Sequence, residues 1–380
     1  MNIVIAVDSF KGSLSSLQAG DIIVQAAQTI FPRAAIQRFP VADGGEGTVD
    51  ALAKGLGGKI IAATVTGPLG EKIASRYGIL PQTNRAIIEM ADAAGLPLVP
   101  PEKRNPLHTT TYGLGELILQ AAQAGCREFI IGIGGSATND CGLGMLTALG
   151  ARFFRADGSR AGITGGDLEA IESIDVRQLA PVLQQCRFHI ACDVTNPLYG
   201  PQGCSAIFAP QKGASAETVQ RMDQAIRSFA QKAAVQLGYE GAQLPGAGAA
   251  GGLGYAFHAF LQASLEPGIS LILKATGLEA ALGQADLVIT GEGRLDAQTA
   301  MGKAPIGIAR LAKGERPKTK VIALCGCARP EARCLNEQGI DAYFPILPGP
   351  MSLQEAMDPG IAAQNLRQTA EQVLRLLRTV

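Results

Sequence analysis

Four short segments of the sequence combine glycine with acidic or hydroxyl side chains directly after an apolar run. Each has the pattern of a buried strand, a tight loop and then a helix. Glycine lets the backbone approach a phosphate closely, and the following helix offers free N–H groups and the positive end of its dipole. Such loops suit a nucleotide triphosphate and an anionic acceptor. The segments are Asp8-Ser9-Phe10-Lys11-Gly12-Ser13, Asp43-Gly44-Gly45-Glu46-Gly47-Thr48, Gly134-Gly135-Ser136-Ala137-Thr138-Asn139-Asp140 and Thr290-Gly291-Glu292-Gly293-Arg294-Leu295-Asp296.

The position of these loops after strands predicts where they meet. Ligands of open α/β sheets bind outside the carboxyl ends of the strands. We therefore expect the four loops at the same edge of one sheet. A single loop of this kind is as often an ordinary tight turn, whereas four together favour a binding site.

The charged residues at the strand ends match the requirements of phosphoryl transfer. That reaction needs a metal ion, cations that offset phosphate charge, and a carboxylate that orients or deprotonates the acceptor hydroxyl. A lone acid at a strand end is more often a helix cap, but Asn196-Pro197 after Asp193 does not open a helical pattern. Lys11 is either a ligand for a substrate anion or a solvated surface lysine. The candidate carboxylates are Asp8, Asp43, Asp193, Glu292 and Asp296, and the candidate cations are Lys11, Arg294 and Lys303.

Three familiar signatures are missing or out of context. Gly246 to Gly251 spells G-x-G-x-x-G, but Pro245 precedes it and no buried strand leads into it, so a loop that covers a ligand is favoured over a dinucleotide site. The Walker pattern is absent, because Gly302-Lys303 is followed by Ala304. No G-x-S-x-G elbow follows a strand, which argues against a Ser-His-Asp hydrolase.

The composition excludes several classes of protein. The 33 basic residues balance 33 acidic ones with no polybasic tract, which argues against nucleic acid as the main partner. Hydrophobic residues make up 47% of the chain, enough for a large core. The 8 cysteines contain no C-x-x-C pair and the 3 histidines lie far apart, so neither a zinc site nor disulfides are expected.

The chain shows no targeting or membrane signal. Its first residues, Met1 to Asp8, lack the charged region and cleavage pattern of a secretory signal and read as a core strand. No apolar run reaches the length of roughly 18 residues that a membrane helix needs. We therefore predict a cytoplasmic protein with a small-molecule substrate and no membrane partner, and leave its oligomeric state open.

Apolar runs alternate with helical patterns, which predicts an α/β fold with a mostly parallel sheet. Ile3 to Val7 is suited to a strand buried on both faces. By contrast, 60–66 and 72–80 flank a Gly67-Pro68-Leu69-Gly70 turn and predict an antiparallel hairpin. We predict a doubly wound core domain from 1–58, 104–148 and 262–380, with an inserted mixed α/β domain from 59–103 and 149–261.

The motifs in combination resemble the bacterial type-I glycerate kinase family, in order and over nearly the whole chain. They are Val7-Asp8-Ser9-Phe10-Lys11-Gly12, Pro40 to Thr48, Gly132 to Asp140, Ala191 to Leu198, Pro210-Gln211-Lys212-Gly213-Ala214, Pro245 to Gly254, Thr290 to Asp296 and Gly302-Lys303-Ala304-Pro305. The resemblance implies a flavodoxin-like domain carrying a second α/β domain, with the site between them. It also implies ATP and Mg²⁺ as cofactors, D-glycerate as acceptor, 2-phosphoglycerate as product, and a role in glycolate, glyoxylate or sugar-acid catabolism.

On this basis we assign roles as hypotheses. Asp193 is the base or orienting group for the glycerate hydroxyl. Lys11 and Arg294 neutralise carboxylate or γ-phosphate charge, and Glu292 and Asp296 hold the metal. The remaining candidates for binding substrate or nucleotide oxygens are Asp8, Ser9, Asp43, Gly44, Gly45, Glu46, Gly134, Gly135, Ser136, Thr138 and Asn139.

Two other functions stay open. A binding protein on the same scaffold would hold a ligand without ATP turnover, but a passive anion site gains nothing from extra carboxylates. A nicotinamide-dependent oxidoreductase is favoured only by the weak G-x-G-x-x-G and would show a cofactor absorbance change.

Overall fold

The computed structural model describes residues 1–42, 44–45 and 47–379 of the chain. Strands and helices alternate through most of it. The strands are β1 (Asn2–Val7), β2 (Ala35–Arg38), β3 (Lys59–Thr66), β4 (Lys72–Leu80), β5 (Arg85–Glu89), β6 (Glu128–Gly132), β7 (Arg152–Phe154), β8 (Ser173–Asp175), β9 (Arg187–Ala191), β10 (Ser264–Glu266), β11 (Leu287–Leu295), β12 (Lys320–Ala328) and β13 (Ala342–Pro345).

The α-helices are α1 (Ser16–Ile30), α2 (Thr48–Gly55), α3 (Ala91–Ala94), α4 (Tyr112–Gln123), α5 (Leu143–Ala148), α6 (Cys204–Phe208), α7 (Ala216–Leu237), α8 (Ala249–Leu261), α9 (Gly268–Thr276), α10 (Leu278–Leu282), α11 (Ala297–Ala300), α12 (Ala304–Glu315), α13 (Leu353–Met357) and α14 (Pro359–Thr379). Short 3₁₀ helices span Leu96–Leu98, Pro101–Lys103, Gly165–Ala170, Pro181–Gln185, Pro210–Lys212 and Pro330–Gln338. No helix of the described chain is both long enough and apolar enough to cross a membrane.

The first of two compact units comprises Met1–Asp43, Asp50–Leu56 and Ile269–Val380. Its sheet has the strand order β13-β12-β11-β1-β2, and every neighbouring pair is parallel. Counted along the chain within this unit, the order is 2-1-3-4-5, which is the doubly wound order of flavodoxin-like folds. The predicted fold class is confirmed.

The central strand β1 shows why this sheet is parallel and covered on both faces. Its residues from Ile3 to Val7 are at most 1% exposed. Because side chains alternate between the faces of a strand, Ile3, Ile5 and Val7 pack into one core and Val4 and Ala6 into another. A continuous apolar run is the sequence pattern that such two-sided burial requires.

The second unit comprises Gly44–Val49 and Gly57–Gly268 and contains a mixed sheet. Its strand order is β10-β9-β6-β5-β4-β3. The β3–β4 and β4–β5 pairs are antiparallel, which confirms the predicted hairpin, and the other pairs are parallel. A separate antiparallel pair is formed by β7 and β8.

The segment 104–148 lies elsewhere than the sequence predicted. It contains β6, which pairs with β5 and β9 in the second sheet, so it belongs to the second unit and not to the doubly wound core. The physical reason is that β6 is a short apolar strand. Its pattern shows that it is buried between neighbours, but a pattern of that kind fits the interior of either sheet.

Candidate active site

The four loops do not share one sheet edge, so that prediction is wrong. The loops after β1 and within the end of β11 belong to the first unit. Gly44, Gly45 and Gly47 and the loop after β6 belong to the second unit. Asp43 and Glu46, two predicted binding residues, lie outside the described residues. Each unit therefore carries its own set of candidates.

In the first unit, the candidates lie where doubly wound sheets bind their ligands. The chain order of the sheet reverses between β1 and β11, and this switch point is the usual ligand crevice. Val7 pairs with Gly291, so Asp8 and Glu292 follow on neighbouring strands. The two loops touch, because a β-carbon placed on Gly293 would lie 3.4 Å from the backbone nitrogen of Lys11.

The carboxylates of Glu292 and Asp296 are both engaged with neighbours of the same unit. Glu292 is 8% exposed, its Oε1 accepts a 2.6 Å hydrogen bond from Thr299 Oγ1, and its Oε2 lies 3.9 Å from Lys303 Nζ. Asp296 caps α11, since its Oδ1 accepts the backbone N–H of Gln298 at 2.9 Å. Its Oδ2 accepts from Arg294 Nε at 2.9 Å. One anion of the pair thus faces an amine and the other a guanidinium.

The electrostatics of Asp296 favour its charged form. Burial raises the pKa of this carboxyl, but hydrogen bonds from backbone N–H groups and the charges of Arg294 and Lys303 outweigh it, so the pKa is lowered. An ionised carboxylate at the N-terminus of a helix is also favoured by the helix dipole.

These two carboxylates fit Mg²⁺ only as part of a nucleotide complex. Among the described residues, no group of three or more His, Cys, Asp or Glu side chains is arranged to hold a metal ion. Mg²⁺ is usually held by one or two carboxylates, with substrate phosphates and water completing its shell. Asp296 is committed to the cap of α11, so we expect Glu292 to be the better ligand of the two.

The loop after β1 places a third carboxylate and a lysine at this edge. Asp8 is 7% exposed, and its Oδ1 accepts the N–H of Ser9 at 2.6 Å. The N–H of Asp8 donates to Gly291 O at 2.9 Å, which ties the loop to β11. Lys11 is exposed, as a cation that meets a ligand from solution must be.

In the second unit, the backbone of Gly44 lies against the ends of two strands. Gly132 and Ala191 are partners at the ends of β6 and β9. A β-carbon on Gly132 would lie 1.9 Å from Gly44 O, and one on Gly44 would lie 2.4 Å from Ala191 Cβ. Only glycine permits this approach at both positions. The predicted Gly44-Gly45 loop therefore lies at the carboxyl edge of the second sheet.

Glu89, which the sequence analysis missed, holds the other end of that loop. It closes β5 beside Gly132 and is 3% exposed. Its Oε2 accepts the N–H of Gly47 at 3.2 Å and its Oε1 that of Val49 at 2.6 Å. Burial raises its pKa to about 7, although these two hydrogen bonds lower it. The signal was available, because Glu89 ends an apolar run as Asp193 and Glu292 end theirs.

Glu89 also changes the interpretation of the helix that follows the loop. The first N–H groups of α2 form a site suited to an anion. The carboxyl group of Glu89 already occupies two of these donors, at Gly47 and Val49. A substrate phosphate is therefore not needed to satisfy them.

Asp193 follows β9 and is exposed. Its Oδ1 accepts the N–H of Gly268 at 2.9 Å, where α9 begins. Asp193 therefore does bond the start of a helix, but that helix is distant in sequence and does not follow Asp193 directly. The hydrogen bond fixes one carboxylate oxygen and orients the group at the strand end.

The loop after β6 has an exposed part and a buried part. Gly134 and Gly135 are exposed, whereas Ser136 is 7% exposed and Thr138 and Asn139 are fully buried. The side chain of Asn139 donates to Ser205 Oγ at 2.9 Å. Thr138 Oγ1 and Asn139 Oδ1 have no hydrogen-bond partner among the described residues. The loop can thus present Gly134 to Ser136 to a ligand, while the next residues face the protein interior.

Beneath this loop lies Lys212, which belongs to the Pro210 to Ala214 motif but was not one of the predicted site residues. It is 2% exposed, and its Nζ donates to Ser136 Oγ at 2.7 Å and to Thr138 O at 2.6 Å. Burial lowers its pKa to about 8, while Cys204 and Asp140 act in the opposite direction. Lysines are almost never fully buried unless they are paired.

Asp140 anchors the far end of the same loop. It is fully buried, and Thr111 donates to it from both the backbone, at 2.8 Å, and the hydroxyl, at 2.7 Å. The N–H groups of Gly142 and Gly144 donate to it as well. Burial raises its pKa against these hydrogen bonds. Its role is to join the loop to the starts of α4 and α5.

The G-x-G-x-x-G run packs against this loop and does not form a free covering loop. Gly251 has a φ of 68° and its carbonyl accepts the N–H of Cys141 at 2.9 Å. A β-carbon there would lie 2.2 Å from Thr138 O. The glycine serves the close approach of two protein segments.

Known proteins are similar to this chain over nearly its full length. The sequence model of the Glycerate kinase family matches residues 3–378. The chain is 47% identical to the glycerate kinase of Bacillus subtilis strain 168, with 100% of this chain and 99% of that one covered. It is 47% identical to the glycerate 2-kinase of Escherichia coli K12, with 94% of each covered.

A solved structure is similar in both sequence and fold. It is described as a glycerate kinase 2 from Salmonella typhimurium LT2, and it superposes with a TM-score of 0.91 at 46% identity. The match covers 100% of this chain and 98% of that one.

Proposed function

Since the chain belongs to the glycerate kinase family, and is therefore a kinase that uses ATP to phosphorylate glycerate, we propose that it forms 2-phosphoglycerate from D-glycerate with Mg²⁺ as metal ion. Identity of 47% to a glycerate 2-kinase over 94% of the chain is the observation that carries this proposal. The pathway that the product enters stays a prediction.

The charges of the two units support a division of the substrates between them. ATP brings several negative charges and a metal, and the first unit offers Lys11, Arg294 and Lys303 together with Glu292 at its switch point. Glycerate brings a single carboxylate, and the second unit offers neutral N–H donors above one buried lysine. We assign ATP to the first unit and glycerate to the second.

In the proposed reaction Asp193 orients the 2-hydroxyl of glycerate and accepts its proton. The hydroxyl oxygen forms a new bond to the γ-phosphorus of ATP, the bond from that phosphorus to the β,γ-bridging oxygen breaks, and ADP leaves. The hydrogen bond from Gly268 fixes the orientation of this carboxylate at the end of β9. Lys11 and Arg294 offset charge on the γ-phosphate. Glu292 would hold Mg²⁺ together with the nucleotide, and the metal would neutralise further phosphate charge. Asp296 accepts a hydrogen bond from Arg294 and so positions this guanidinium, and it is not itself a metal ligand in this proposal.

The exposed turn after β6 is proposed to receive the glycerate carboxylate. Among the described residues, the N–H groups of Gly134, Gly135 and Ser136 have no hydrogen-bond acceptor. Gly135 has a φ of 73°, and a left-handed residue within a run of free N–H groups is typical of anion-binding nests. The Ser136 hydroxyl adds a further donor.

The test is turnover of ATP by purified protein with Mg²⁺ and D-glycerate, with the product identified by ³¹P NMR. We expect 2-phosphoglycerate. Formation of 3-phosphoglycerate would overturn the position of transfer but keep the kinase. Binding of glycerate without turnover, measured by calorimetry on folded, Mg²⁺-supplied protein, would overturn the reaction and favour a binding protein.

A further inference from the structure

Lys212 is a buried cation held only by neutral groups. The described structure gives its Nζ two partners, the hydroxyl of Ser136 and the carbonyl of Thr138, and no carboxylate forms an ion pair with it. A buried charge costs stability unless it is paired or used. The nearest charged or titratable groups that act on it are Asp140 and Cys204. Its positive charge is therefore not cancelled by direct contact.

The chemistry of an ammonium fixes the direction of the hydrogen bond to Ser136. An ammonium has three donors and no acceptor, so Ser136 Oγ must accept at 2.7 Å. The hydroxyl proton of Ser136 must then point elsewhere, and among the described residues Lys212 is the one hydrogen-bond partner of this hydroxyl. Ser136 directly follows the exposed pair Gly134 and Gly135.

We propose that Lys212 is a positioning residue for the glycerate carboxylate, which acts through Ser136 by turning its hydroxyl proton outward and placing a positive charge behind it. This inference rests on the proposed function. The carboxylate accepts from the Ser136 hydroxyl and from the free N–H groups beside it. A monoanion matches the one positive charge of Lys212, whereas the triphosphate meets the cations of the first unit.

The protonation of Lys212 gives this arrangement a pH dependence. A neutral amine can accept from Ser136, and the hydroxyl proton would then turn inward. With a pKa of about 8 for Lys212, the KM for glycerate should rise as the pH passes that value. The KM for ATP should not follow the same curve.

The test compares steady-state kinetics of the wild type with Lys212→Met, Ser136→Ala and the double variant. A hydrogen bond to a charged group is worth about 1.5–3 kcal/mol, so we expect each single variant to raise the KM for glycerate about 10–100-fold. The KM for glycerate of the double variant should not exceed that of the more strongly affected single variant, because both substitutions remove the same hydrogen-bond donor. The KM for ATP should stay within about twofold.

A matched control is Lys232→Met, which removes a lysine of the same unit that donates to Ile171 O and pairs with Glu172. It should leave both KM values unchanged. If Lys212→Met does not fold, Ser136→Ala and the wild-type pH profile decide the matter alone, since Ser136→Ala should abolish the rise of KM above pH 8.

Three results would overturn the inference while the proposed function stands. They are an unchanged KM for glycerate in folded Lys212→Met, a raised KM for ATP in its place, and multiplying effects in the double variant. A wild type that binds no glycerate would remove the proposed function and this inference with it.

Discussion

The carboxyl edges of the two sheets hold their charges in different ways. At the first sheet, Glu292 faces Lys303 and Asp296 accepts from Arg294, so acids meet bases. At the second sheet, Glu89 accepts backbone N–H groups and Lys212 donates to a hydroxyl and a carbonyl. The first edge pairs charge with charge, and the second pairs charge with dipoles.

The difference has a consequence for ligand binding. The electrostatic field of a charged side chain is largely cancelled when an oppositely charged side chain contacts it, so a ligand must rearrange that ion pair before it can interact with either charge. A buried charge that is hydrogen-bonded only to neutral groups keeps its electrostatic field, although burying it costs free energy. The first edge therefore suits a ligand that brings both anions and a metal, and the second suits one small anion.

The largest effect is expected from Asp193→Asn. Asparagine keeps an oxygen for the N–H of Gly268 but cannot accept the hydroxyl proton. Loss of a general base lowers kcat by about 10²–10⁴-fold, and the KM values should change little. The control is Asp223→Asn, because Asp223 also accepts a backbone N–H, from Gly200 at 2.8 Å. Near wild-type kcat in folded Asp193→Asn would leave this acid as a helix cap alone.

Substitution of Glu292 tests whether the first edge holds the metal. Glu292→Gln keeps the hydrogen bond with Thr299 and removes the charge. We expect the Mg²⁺ concentration for half-maximal activity to rise by about 10–100-fold, the range for groups that support a metal. Asp296→Asn should shift it less, because that carboxylate caps α11. An equal shift in both would contradict the ranking of the two acids.

The burial of Glu89 should be visible in the stability of the protein. Its pKa rises from 4.5 to about 7 on folding, so the unfolded chain loses this proton first. The free energy of unfolding should then fall between pH 4.5 and pH 7, by on the order of 3 kcal/mol. Glu89→Gln should flatten this fall in denaturant titrations across that range.

The matched variant for Glu89 is Glu116→Gln in the same unit. The pKa of Glu116 is lowered, because hydrogen bonds from Lys72 and Thr66 outweigh its burial. The effect of Glu116 on the free energy of unfolding therefore changes with pH in the opposite direction to that of Glu89. Glu116 stabilises the fold at neutral pH, and this stabilisation is lost in acid. The same pH profile for both variants would show that burial does not dominate at Glu89.

The smallest effect is expected from Arg294→Ala. Arg294 is 55% exposed in its pair with Asp296, and exposed pairs contribute about 0–1 kcal/mol. The KM for ATP should rise by at most about fivefold, with the KM for glycerate unchanged. The control is Arg177→Ala. It removes an exposed arginine that lies 2.9 Å from Asp175, the same distance as in the Arg294–Asp296 pair, and it should change neither KM value. A rise in the KM for glycerate would reverse the assignment of substrates to units.

The sequence predicted local structure correctly where interactions between residues close in sequence determine that structure. The apolar run Ile3 to Val7 indicated a strand covered on both faces. Ser15 forms a capping box with Gln18, three residues further on, at the start of α1. The turn from Gly67 to Gly70 indicated the antiparallel hairpin. These features depend on interactions within a few residues, which a single sequence contains.

Partners distant in sequence were decided by the tertiary structure. Ser136 meets Lys212 across 76 positions, and Asp193 meets Gly268 across 75. The apolar pattern of β6 fitted either sheet, and only packing against β5 and β9 placed it in the second. The physical reason is that burial patterns show that a residue is enclosed, while its neighbours depend on how the whole chain packs. The sequence thus determined the family, the fold class and most strands, and the tertiary structure decided which charges meet.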